Sequence, residues 1–361
     1  MIPSQTLSRF IRGEERKHWS ATGELSDLIC AIALGVKMIG ALVATSGFRG
    51  LQGYTGRKNI QGEAVAKLDE EADRILVEVL GSSGHFGLLV SEEREKVIHS
   101  APGFKDAKYV VAFDPLDGST NLHYNIPVGT IFTVFKKHQI RGEATTQDLL
   151  QPGRNVIAAG YAVYGSKTTF VYSCGDGVHG FTLDPAIGEF MLTEESIVCP
   201  KRGGMFSVNE GYTERWSPQV RRFVSTLKSV NPKIGTPYSS RYVGSMVADI
   251  DRILRRGGIF LYPADSDQPD GKLRLLYECI PLSYILEQAG GRAVDGLNDI
   301  LEIHPENIHQ RSPLIIGSAD EVQWYIDLVN GPETAARARK QRRRPPARQV
   351  KKRLRQKARK R

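Results

Sequence analysis

The acidic residues of this sequence that could do chemistry stand where apolar runs end. Asp114 and Asp117 are three residues apart, directly after the run YVVAF, and the turn GST at 118–120 follows them. Its glycine allows a tight turn, and its amides and hydroxyls suit an anion. Divalent cations such as Mg²⁺ prefer oxygen ligands, and metal-dependent phosphate chemistry uses several converging carboxylates. The stretch FDPLDGST therefore indicates a metal and phosphate site.

Further carboxylates occupy comparable positions. Glu92 and Glu93 follow the run GLLVS, and Glu278 lies inside the apolar LRLLYECIPL. A buried carboxylate is costly unless it is paired or metal-bound. Asp69 lies beside Asp73 on the polar side of a helical segment. Taken singly, the two aspartates also fit a solvated helix face, and the two glutamates fit a charged turn. Together with FDPLDGST, these groups favour a metal-dependent phosphatase.

Hydrophobic periodicity predicts the elements that position these groups. Thr22 precedes the helical GELSDLICAIALGVKMIGALV, and residues 63–80 have apolar side chains at helical spacing. Strand-like runs follow at 87–91, 108–113 and 129–137, and then VIAAGYAVYG and TTFVYS, with turn residues between them. This pattern predicts a largely antiparallel sheet layered with helices, hence an α+β fold.

The pattern changes near residue 200. A helix is predicted near 218–228, followed by the apolar GGIFLYPA and the helix-like KLRLLYECIPLSYILEQAG. We therefore expect an N-terminal subdomain at 1–199, a second α/β subdomain at 200–333 and a tail at 334–361.

Composition is typical of a globular protein, with 361 residues, 40% hydrophobic and 25% charged. The longest nearly apolar stretch, at 30–44, contains Lys37 and predicts a core helix rather than a membrane span. The first twenty residues have no uninterrupted apolar run of the kind found in secretory signals. The four cysteines are scattered, which favours reduced thiols over disulfides or zinc ligands. We therefore expect a cytoplasmic or nuclear protein.

The net charge of +9 is concentrated at one end of the chain. Residues 334–361 carry fifteen Lys or Arg and no acid, which leaves 34 basic against 40 acidic residues in 1–333. Because such a segment repels itself and has little to bury, we expect a disordered tail. It could bind nucleic acid, an acidic partner or an import receptor, or serve only as a solvated extension.

Several motifs resemble class I fructose-1,6-bisphosphatases, of the lithium-sensitive metal-dependent sugar phosphatase superfamily. They are DPLDGST at 114–120, GKLRLLYECIPLS at 271–283, RYVGSMVAD at 241–249 and VSEE at 90–93. The likeness runs from about Leu7 to Val329 and leaves out the tail. It implies a layered α-β-α-β-α fold that hydrolyses the 1-phosphate of fructose 1,6-bisphosphate in gluconeogenesis or sucrose synthesis, with two or three Mg²⁺ ions per subunit.

The resemblance also implies roles for individual residues. Asp69 and Glu93 would orient and deprotonate the attacking water. The metal ligands would be Glu92, Asp114, the carbonyl of Leu116, Asp117 and Glu278. The 1-phosphate would contact Gly118, Ser119 and Thr120, the last standing where a second serine is more common. The 6-phosphate and sugar would contact Asn209, Tyr212, Arg241, Tyr242, Tyr262 and Lys272.

Oligomerisation and regulation are implied in the same way. The residue at Arg241 reaches across a subunit boundary in the family, which usually forms a homotetramer. Inhibition by AMP would use Thr22, Gly23, Glu24, Leu25, Ser26, Lys108 and Tyr109. Lys136 stands where strongly regulated relatives have arginine, and lysine lacks that planar set of donors. An ordinary capped helix with weakened AMP control therefore stays open.

Two alternatives to this function also stay open. A sedoheptulose-1,7-bisphosphatase would need the same carboxylates with a roomier pocket, although the motifs at 208–212 and 241–246 favour fructose. A protein that acts mainly through its basic tail would bind nucleic acid or acidic partners by salt-sensitive attraction, because the tail has no aromatic residue for base stacking.

Overall fold

The structure is a computed structural model that describes residues 5–16, 22–51, 53–58, 64–139, 141–231 and 235–331. The basic tail lies outside these residues, so its predicted disorder stays a prediction. Within the described ranges the α-helices are α1 (Leu7–Glu15), α2 (Glu24–Thr45), α3 (Lys67–Ser83), α4 (Pro218–Lys228), α5 (Met246–Arg256), α6 (Ile280–Gln288) and α7 (Ala319–Asn330).

The first half of the chain forms a large mixed sheet. Its strands, in chain order, are β3 (Phe86–Ser91), β4 (Ile98–His99), β5 (Tyr109–Asp117), β6 (Val128–Lys136), β7 (Val156–Tyr164), β8 (Thr168–Ser173), β9 (His179–Asp184) and β10 (Glu189–Glu194); they follow the short pair β1 (Tyr54–Lys58) and β2 (Ala64–Ala66). The spatial order is β10-β9-β8-β7-β6-β5-β3-β4. Only the β3–β5 pairing of this sheet is parallel, in agreement with the predicted antiparallel character.

The second half forms a smaller sheet of order β12-β11-β13-β17-β15 and a separate β14-β16 pair. The strands are β11 (Met205–Ser207), β12 (Ser239–Ser240), β13 (Ile259–Tyr262), β14 (Leu273–Arg274), β15 (Arg292–Val294), β16 (Arg311–Ser312) and β17 (Leu314–Gly317). Along the chain, the last strand of the large sheet ends at Glu194 and the first strand of the smaller sheet begins at Met205. We therefore keep a division into two subdomains near residue 200 as our interpretation.

Both faces of the large sheet are buried. Along β5, Val111 and Phe113 pack with α1, α2 and α3, whereas Val110 and Ala112 pack on the opposite side with α5 and α6. A strand covered on both faces reads as a continuous apolar run, which explains the sequence YVVAF. A third cluster fills the space between α4, α7 and the smaller sheet. The carboxylates that end β5 therefore emerge from a strand held rigidly on both sides.

Helix α2 is longer than the apolar stretch at 30–44. Its 22 residues are enough, by length and composition alone, to cross a membrane. However, Leu28, Ile32, Val36 and Ile39 are fully buried in the cluster that α2 shares with α3 and the sheet. This packing agrees with the predicted core helix.

Three predicted boundaries were wrong. Helix α2 begins after Gly23, whose left-handed φ of 82° makes it the N-terminal cap in place of Thr22. Helix α3 begins at Lys67 rather than 63, because Ala64–Ala66 pairs with β1. The segment 272–290, predicted as one helix, contains β14, a π-helical turn at Leu275–Cys279 and then α6. Such π turns recur at functional sites, and this one carries Glu278.

Candidate active site

A pocket of about 500 Å³ collects residues from both halves of the chain. It is lined by the predicted metal-binding residues Glu92, Asp114, Leu116, Asp117 and Glu278, and by the predicted catalytic pair Asp69 and Glu93. The predicted substrate residues in its wall are Gly118, Ser119, Thr120, Tyr212, Tyr242, Tyr262 and Lys272. Residues as distant in sequence as Asp69 and Glu278 therefore converge in one pocket.

A buried cluster of carboxylates lies in this pocket. One oxygen from each of Asp114, Asp117 and Glu278 lies within 4.8 Å of the others. The β5–β6 register is irregular between Asp114 and Asp117, which displaces both side chains from regular alternation. Gly118 then takes a left-handed φ of 76°, which favours glycine and turns the chain sharply. The FDPLDG sequence thus places both aspartates beside Glu278.

Backbone donors fix the orientation of each carboxylate. Leu116 N–H donates to Asp114 Oδ1 over 2.9 Å, and Val247 N–H donates to Asp117 Oδ2 over 2.9 Å. Arg274 N–H donates to Glu278 Oε2. Leu116 and Arg274 are close in sequence to the carboxylates they bind, whereas Val247 comes from the other half of the chain. Local turns and long-range packing therefore both orient the cluster.

The acids disfavour one another's ionisation. Burial, followed by the charges of Glu92, Asp117 and Glu278, raises the pKa of Asp114 well above its usual value. Burial and the charges of Glu92 and Asp117 raise the pKa of Glu278 in the same way. Burial also raises the pKa of Asp117 to about 6, against the opposing effects of Val247 N–H and Lys272. A divalent cation would offset this repulsion, and hard oxygen donors at this spacing fit one.

The predicted catalytic pair lies at the edge of the carboxylate cluster. Asp69 is buried on the first turn of α3, and Ser119 Oγ donates to its Oδ2 over 3.1 Å. Glu93 lies in the turn after β3, where its N–H donates to Ser91 Oγ over 3.3 Å. Both carboxylates line the same pocket, so they share access to a group bound at the GST turn.

The predicted substrate residues divide between the main pocket and a smaller one. Tyr212 and Tyr262 line both, and Asn209 lines only the smaller pocket. Arg241 is exposed and lines neither of the two. Its backbone carbonyl accepts from Ser207 Oγ, and its exposed guanidinium donates from Nη1 to the carbonyl of Ser240 over 3.2 Å.

Several pocket residues were not predicted from the sequence. They are Gly244, Met246, Phe260, Leu273 and Arg274. Arg274 is a buried cation in the same apolar run as Glu278, so the cost of burying a charge would have identified it too. Asp249 was also missed: it is fully buried and accepts from Val243 N–H, Gly244 N–H and Ser207 Oγ. It anchors the 241–245 loop that leads into α5.

The residues assigned by resemblance to AMP lie outside the pocket. Thr22, Gly23, Glu24, Leu25 and Ser26 surround the start of α2. Lys108 Nζ donates to Thr22 Oγ1 over 3.1 Å and to Glu24 Oε1 over 2.9 Å, next to Tyr109 at the start of β5. Burial raises the pKa of the Tyr109 hydroxyl. These contacts bring the predicted residues together around one helix terminus.

Two family models match consecutive parts of the chain. The model described as "Fructose-1-6-bisphosphatase, N-terminal domain" matches residues 5–195, and "Fructose-1-6-bisphosphatase, C-terminal domain" matches residues 199–330. Together they account for almost all of the chain before the tail.

Curated relatives and a solved structure agree with these matches. The chain is 45% identical over 327 residues to a "Fructose-1,6-bisphosphatase class 1" of Chlorobium phaeovibrioides, covering 90% of this chain and 98% of that protein. It is 46% identical over 319 residues to "Fructose-1,6-bisphosphatase, cytosolic" of Arabidopsis thaliana, covering 88% and 92%. The holo crystal structure of Leishmania major fructose-1,6-bisphosphatase superposes with a TM-score of 0.86 and 40% identity, covering 91% and 100%. The predicted α+β fold is thereby confirmed.

Proposed function

Because this chain belongs to the class I fructose-1,6-bisphosphatase family, we propose that its pocket hydrolyses the 1-phosphate of fructose 1,6-bisphosphate. The products are fructose 6-phosphate and phosphate, which places the enzyme in carbohydrate metabolism. The observation that carries this function is the cluster of Asp114, Asp117 and Glu278 beside the GST turn, in a pocket with aromatic and basic groups in its wall.

The residues at the cluster would hold Mg²⁺, two or three ions per subunit. Glu92, Asp114, Asp117 and Glu278 would supply carboxylate oxygens and Leu116 its carbonyl. Bound metal would lower the pKa of the attacking water and neutralise charge on the phosphoryl oxygens. The support is chemical: buried carboxylates with raised pKa values provide the oxygen donors that this cation prefers.

The chain's own groups would position the reactants. Gly118, Ser119 and Thr120 would hold the 1-phosphate through amides and hydroxyls. Glu93 and Asp69 would orient the water and accept its proton. The Ser119 hydroxyl donates to Asp69, so the phosphate-binding turn and one catalytic carboxylate are directly connected. Such a fixed arrangement lowers the entropic cost of reaching the transition state.

The far end of the substrate would be held by the aromatic and basic side of the pocket. Tyr212, Tyr242, Tyr262 and Lys272 line it, Asn209 lies in the adjoining smaller pocket, and Arg241 would come from a neighbouring subunit. Two fixed ends would orient the reacting phosphoryl group.

Substrate choice is tested by comparing two sugar bisphosphates. We expect kcat/KM for fructose 1,6-bisphosphate to exceed that for sedoheptulose 1,7-bisphosphate by about tenfold or more, since a mismatched anion pocket loses binding energy in the transition state. Equal or reversed values would favour the sedoheptulose alternative. No phosphate release from either compound by folded protein with Mg²⁺ would overturn the proposed function.

The assembly is proposed to be a homotetramer. Helix α2 presents Leu34 and Met38 to solvent, and Phe48, just after α2, is 90% exposed. Exposed apolar groups aligned along one helix favour burial against another copy. Arg241 is exposed and lies outside its own chain's pocket, which fits a role in a partner's substrate pocket.

The cluster at the start of α2 is proposed to bind AMP as an inhibitor. The backbone amides of the first turn of α2 have no intrahelical acceptors and could bind a phosphate, and Lys108 supplies a nearby cation. Lys108 already contacts Glu24, and the exposed Lys136 replaces arginine, so we expect weak inhibition.

A cytoplasmic location is proposed by likeness to the Arabidopsis cytosolic enzyme, and these relatives give no support to a nuclear one.

A further inference from the structure

The acidic turn that carries Glu92 and Glu93 is attached to the sheet at its beginning. Glu92 N–H donates to the carbonyl of Phe113 on β5 over 3.2 Å. Arg94 N–H donates back to the carbonyl of Ser91 over 3.3 Å, which closes the turn. These bonds fix the backbone of the turn to β3 and β5, but they do not connect it directly to α3.

An ion pair connects the turn directly to α3. The Nε and Nη2 atoms of Arg94 each lie 2.7 Å from Oδ2 of Asp73 on α3. The Asp73 side chain is only 6% exposed, and its Oδ1 has no hydrogen-bond partner among the described residues. A buried carboxylate depends strongly on its one cation, because removing that cation leaves an uncompensated charge. The pair therefore differs from a weak surface salt bridge.

The geometry of α3 connects this pair to the catalytic acids. Asp73 lies four residues after Asp69, so both carboxylates project from one face of the helix. Arg94 directly follows Glu93 in the chain. The Arg94–Asp73 contact therefore joins the turn to the helix close to both catalytic acids. Glu93 adjoins Arg94 in the chain, and Asp69 lies about one helical turn before Asp73.

A second contact holds the far side of the turn. His309 Nε2 lies 3.4 Å from the carbonyl of Glu95, and its Nδ1 lies 2.9 Å from the hydroxyl of Tyr277. Tyr277 precedes Glu278 in the π-helical turn. The acidic turn is therefore held between α3 and the segment that carries another member of the cluster.

We propose that Arg94 is a positioning residue: by binding Asp73, it holds the Glu92–Glu93 turn against α3 at the separation the reaction requires. This inference rests on the proposed phosphatase function. Arg94 does not line the pocket, so it would act without contacting substrate. Its removal would leave the binding groups in place and let the turn move, and a displacement of about 1 Å at reacting groups can cost up to 10²-fold in rate.

The test uses steady-state kinetics of the full-length enzyme with fructose 1,6-bisphosphate. In Arg94→Gln we expect kcat to fall about tenfold or more, with KM changed by less than about twofold, because transition-state positioning rather than substrate binding is lost. The Mg²⁺ concentration for half-maximal rate should rise, since Glu92 belongs to the same turn. Arg94→Lys, which keeps the charge, should retain intermediate activity.

The partner variant and a control separate positioning from a general charge effect. Asp73→Asn should lower kcat in the same way, and the double variant Arg94→Gln with Asp73→Asn should be no worse than either alone. The control is Arg74→Gln, which removes an exposed arginine paired with Glu71 and Glu78 on the same helix and should leave kcat unchanged. Hydrogen exchange should speed up at residues 92–97 in Arg94→Gln and in Asp73→Asn, and stay unchanged in Arg74→Gln.

The outcomes distinguish this inference from the proposed function. If the wild-type enzyme releases no phosphate, the function itself fails. If the wild type is active and Arg94→Gln keeps kcat within about twofold, or if Arg74→Gln loses as much activity, the positioning role is overturned. Additive losses in the double variant, or unchanged exchange at residues 92–97, would also contradict it.

Discussion

Asp117 and Val247 are 130 residues apart in the sequence, yet the N–H of Val247 donates to Oδ2 of Asp117 over 2.9 Å. This bond joins the end of β5 to the first turn of α5, where helix amides lack intrahelical acceptors. It also opposes the rise in the pKa of Asp117 that burial causes. The carboxylate cluster is consequently complete only when both halves of the chain are packed together.

The carboxylates buried around Asp114 should lower the stability of the metal-free protein while they favour metal binding. Asp114→Asn keeps the acceptor for Leu116 N–H but removes a buried charge among Glu92, Asp117 and Glu278. Without metal we expect this variant to unfold about 1–2 °C above the wild type, which corresponds to a gain of about 1 kcal/mol. Adding Mg²⁺ should raise the melting temperature of the wild type much more than that of the variant.

Thermal unfolding in EDTA and in Mg²⁺ measures both effects. The matched control is Asp320→Asn, which neutralises an aspartate at the start of α7, outside the pocket. Equal Mg²⁺ shifts in the wild type and Asp114→Asn would mean that the cation binds elsewhere.

Subunit complementation would show whether Arg241 acts in a neighbouring pocket. We expect Arg241→Ala and Asp114→Ala to be nearly inactive separately, and activity to return when the two variants are unfolded and refolded together. In a mixed oligomer, a pocket with intact Asp114 can receive Arg241 from its neighbour. The measurement is phosphate release per subunit, with each variant refolded alone as control. Absence of recovery in verified mixed oligomers would place Arg241 in its own subunit's site.

A buried glutamate outside the active site predicts a specific pH dependence of stability. Glu321 is 1% exposed and accepts from Gly203 N–H and the Tyr238 hydroxyl, yet burial raises its pKa above the ordinary 4.5. A raised pKa in the folded state means that stability is lost as pH rises from 4.5 through the folded value. Glu321→Gln removes this titration.

Urea unfolding between pH 4 and pH 8 tests this sign. The unfolding free energy of the wild type, minus that of Glu321→Gln, should become more negative as pH rises. Glu214→Gln, whose side chain is 90% exposed, controls for the loss of one negative charge. A difference that stays constant or increases with pH would contradict the predicted direction.

The tail is expected to be dispensable for catalysis. The two family models match residues 5–195 and 199–330 and therefore do not include the tail. A chain ending at residue 333 should therefore keep its kcat, KM and Mg²⁺ dependence. If the tail binds polyanions, the truncation should abolish salt-sensitive binding to a nucleic-acid duplex. Loss of phosphatase activity on truncation would show that the tail belongs to the active enzyme.

The sequence alone was sufficient to identify candidate site residues where a charged side chain stands beside or within an apolar run. The acids after YVVAF and GLLVS, and Glu278 within an apolar run, were identifiable because burying them requires compensation. The helix predicted at 218–228 matches α4, Pro218–Lys228, where Ser217 caps the N-terminus and Pro218 occupies the first turn. Amphipathic spacing and capping are local signals, so such elements can be predicted without tertiary information.

Other features depend on contacts distant in sequence. The apolar run at 272–290 gave no indication that it would divide into β14, a π-helical turn and α6, because a segment buried on all sides lacks periodicity. Asp249 resembled an ordinary helix-start acid, although its partners Ser207 and Gly244 make it an anchor of the pocket loop. The Arg94–Asp73 pair likewise spans 21 residues and could be recognised only from the structure.

The most direct test of the account is phosphate release from fructose 1,6-bisphosphate by the full-length protein with Mg²⁺, with EDTA, and with Asp114→Ala in Mg²⁺. We expect release in the first case only, with a loss of about 10³-fold or more in the other two, because metal and carboxylates together stabilise the transition state. Release that persists in EDTA or in Asp114→Ala would contradict a metal site at this carboxylate cluster.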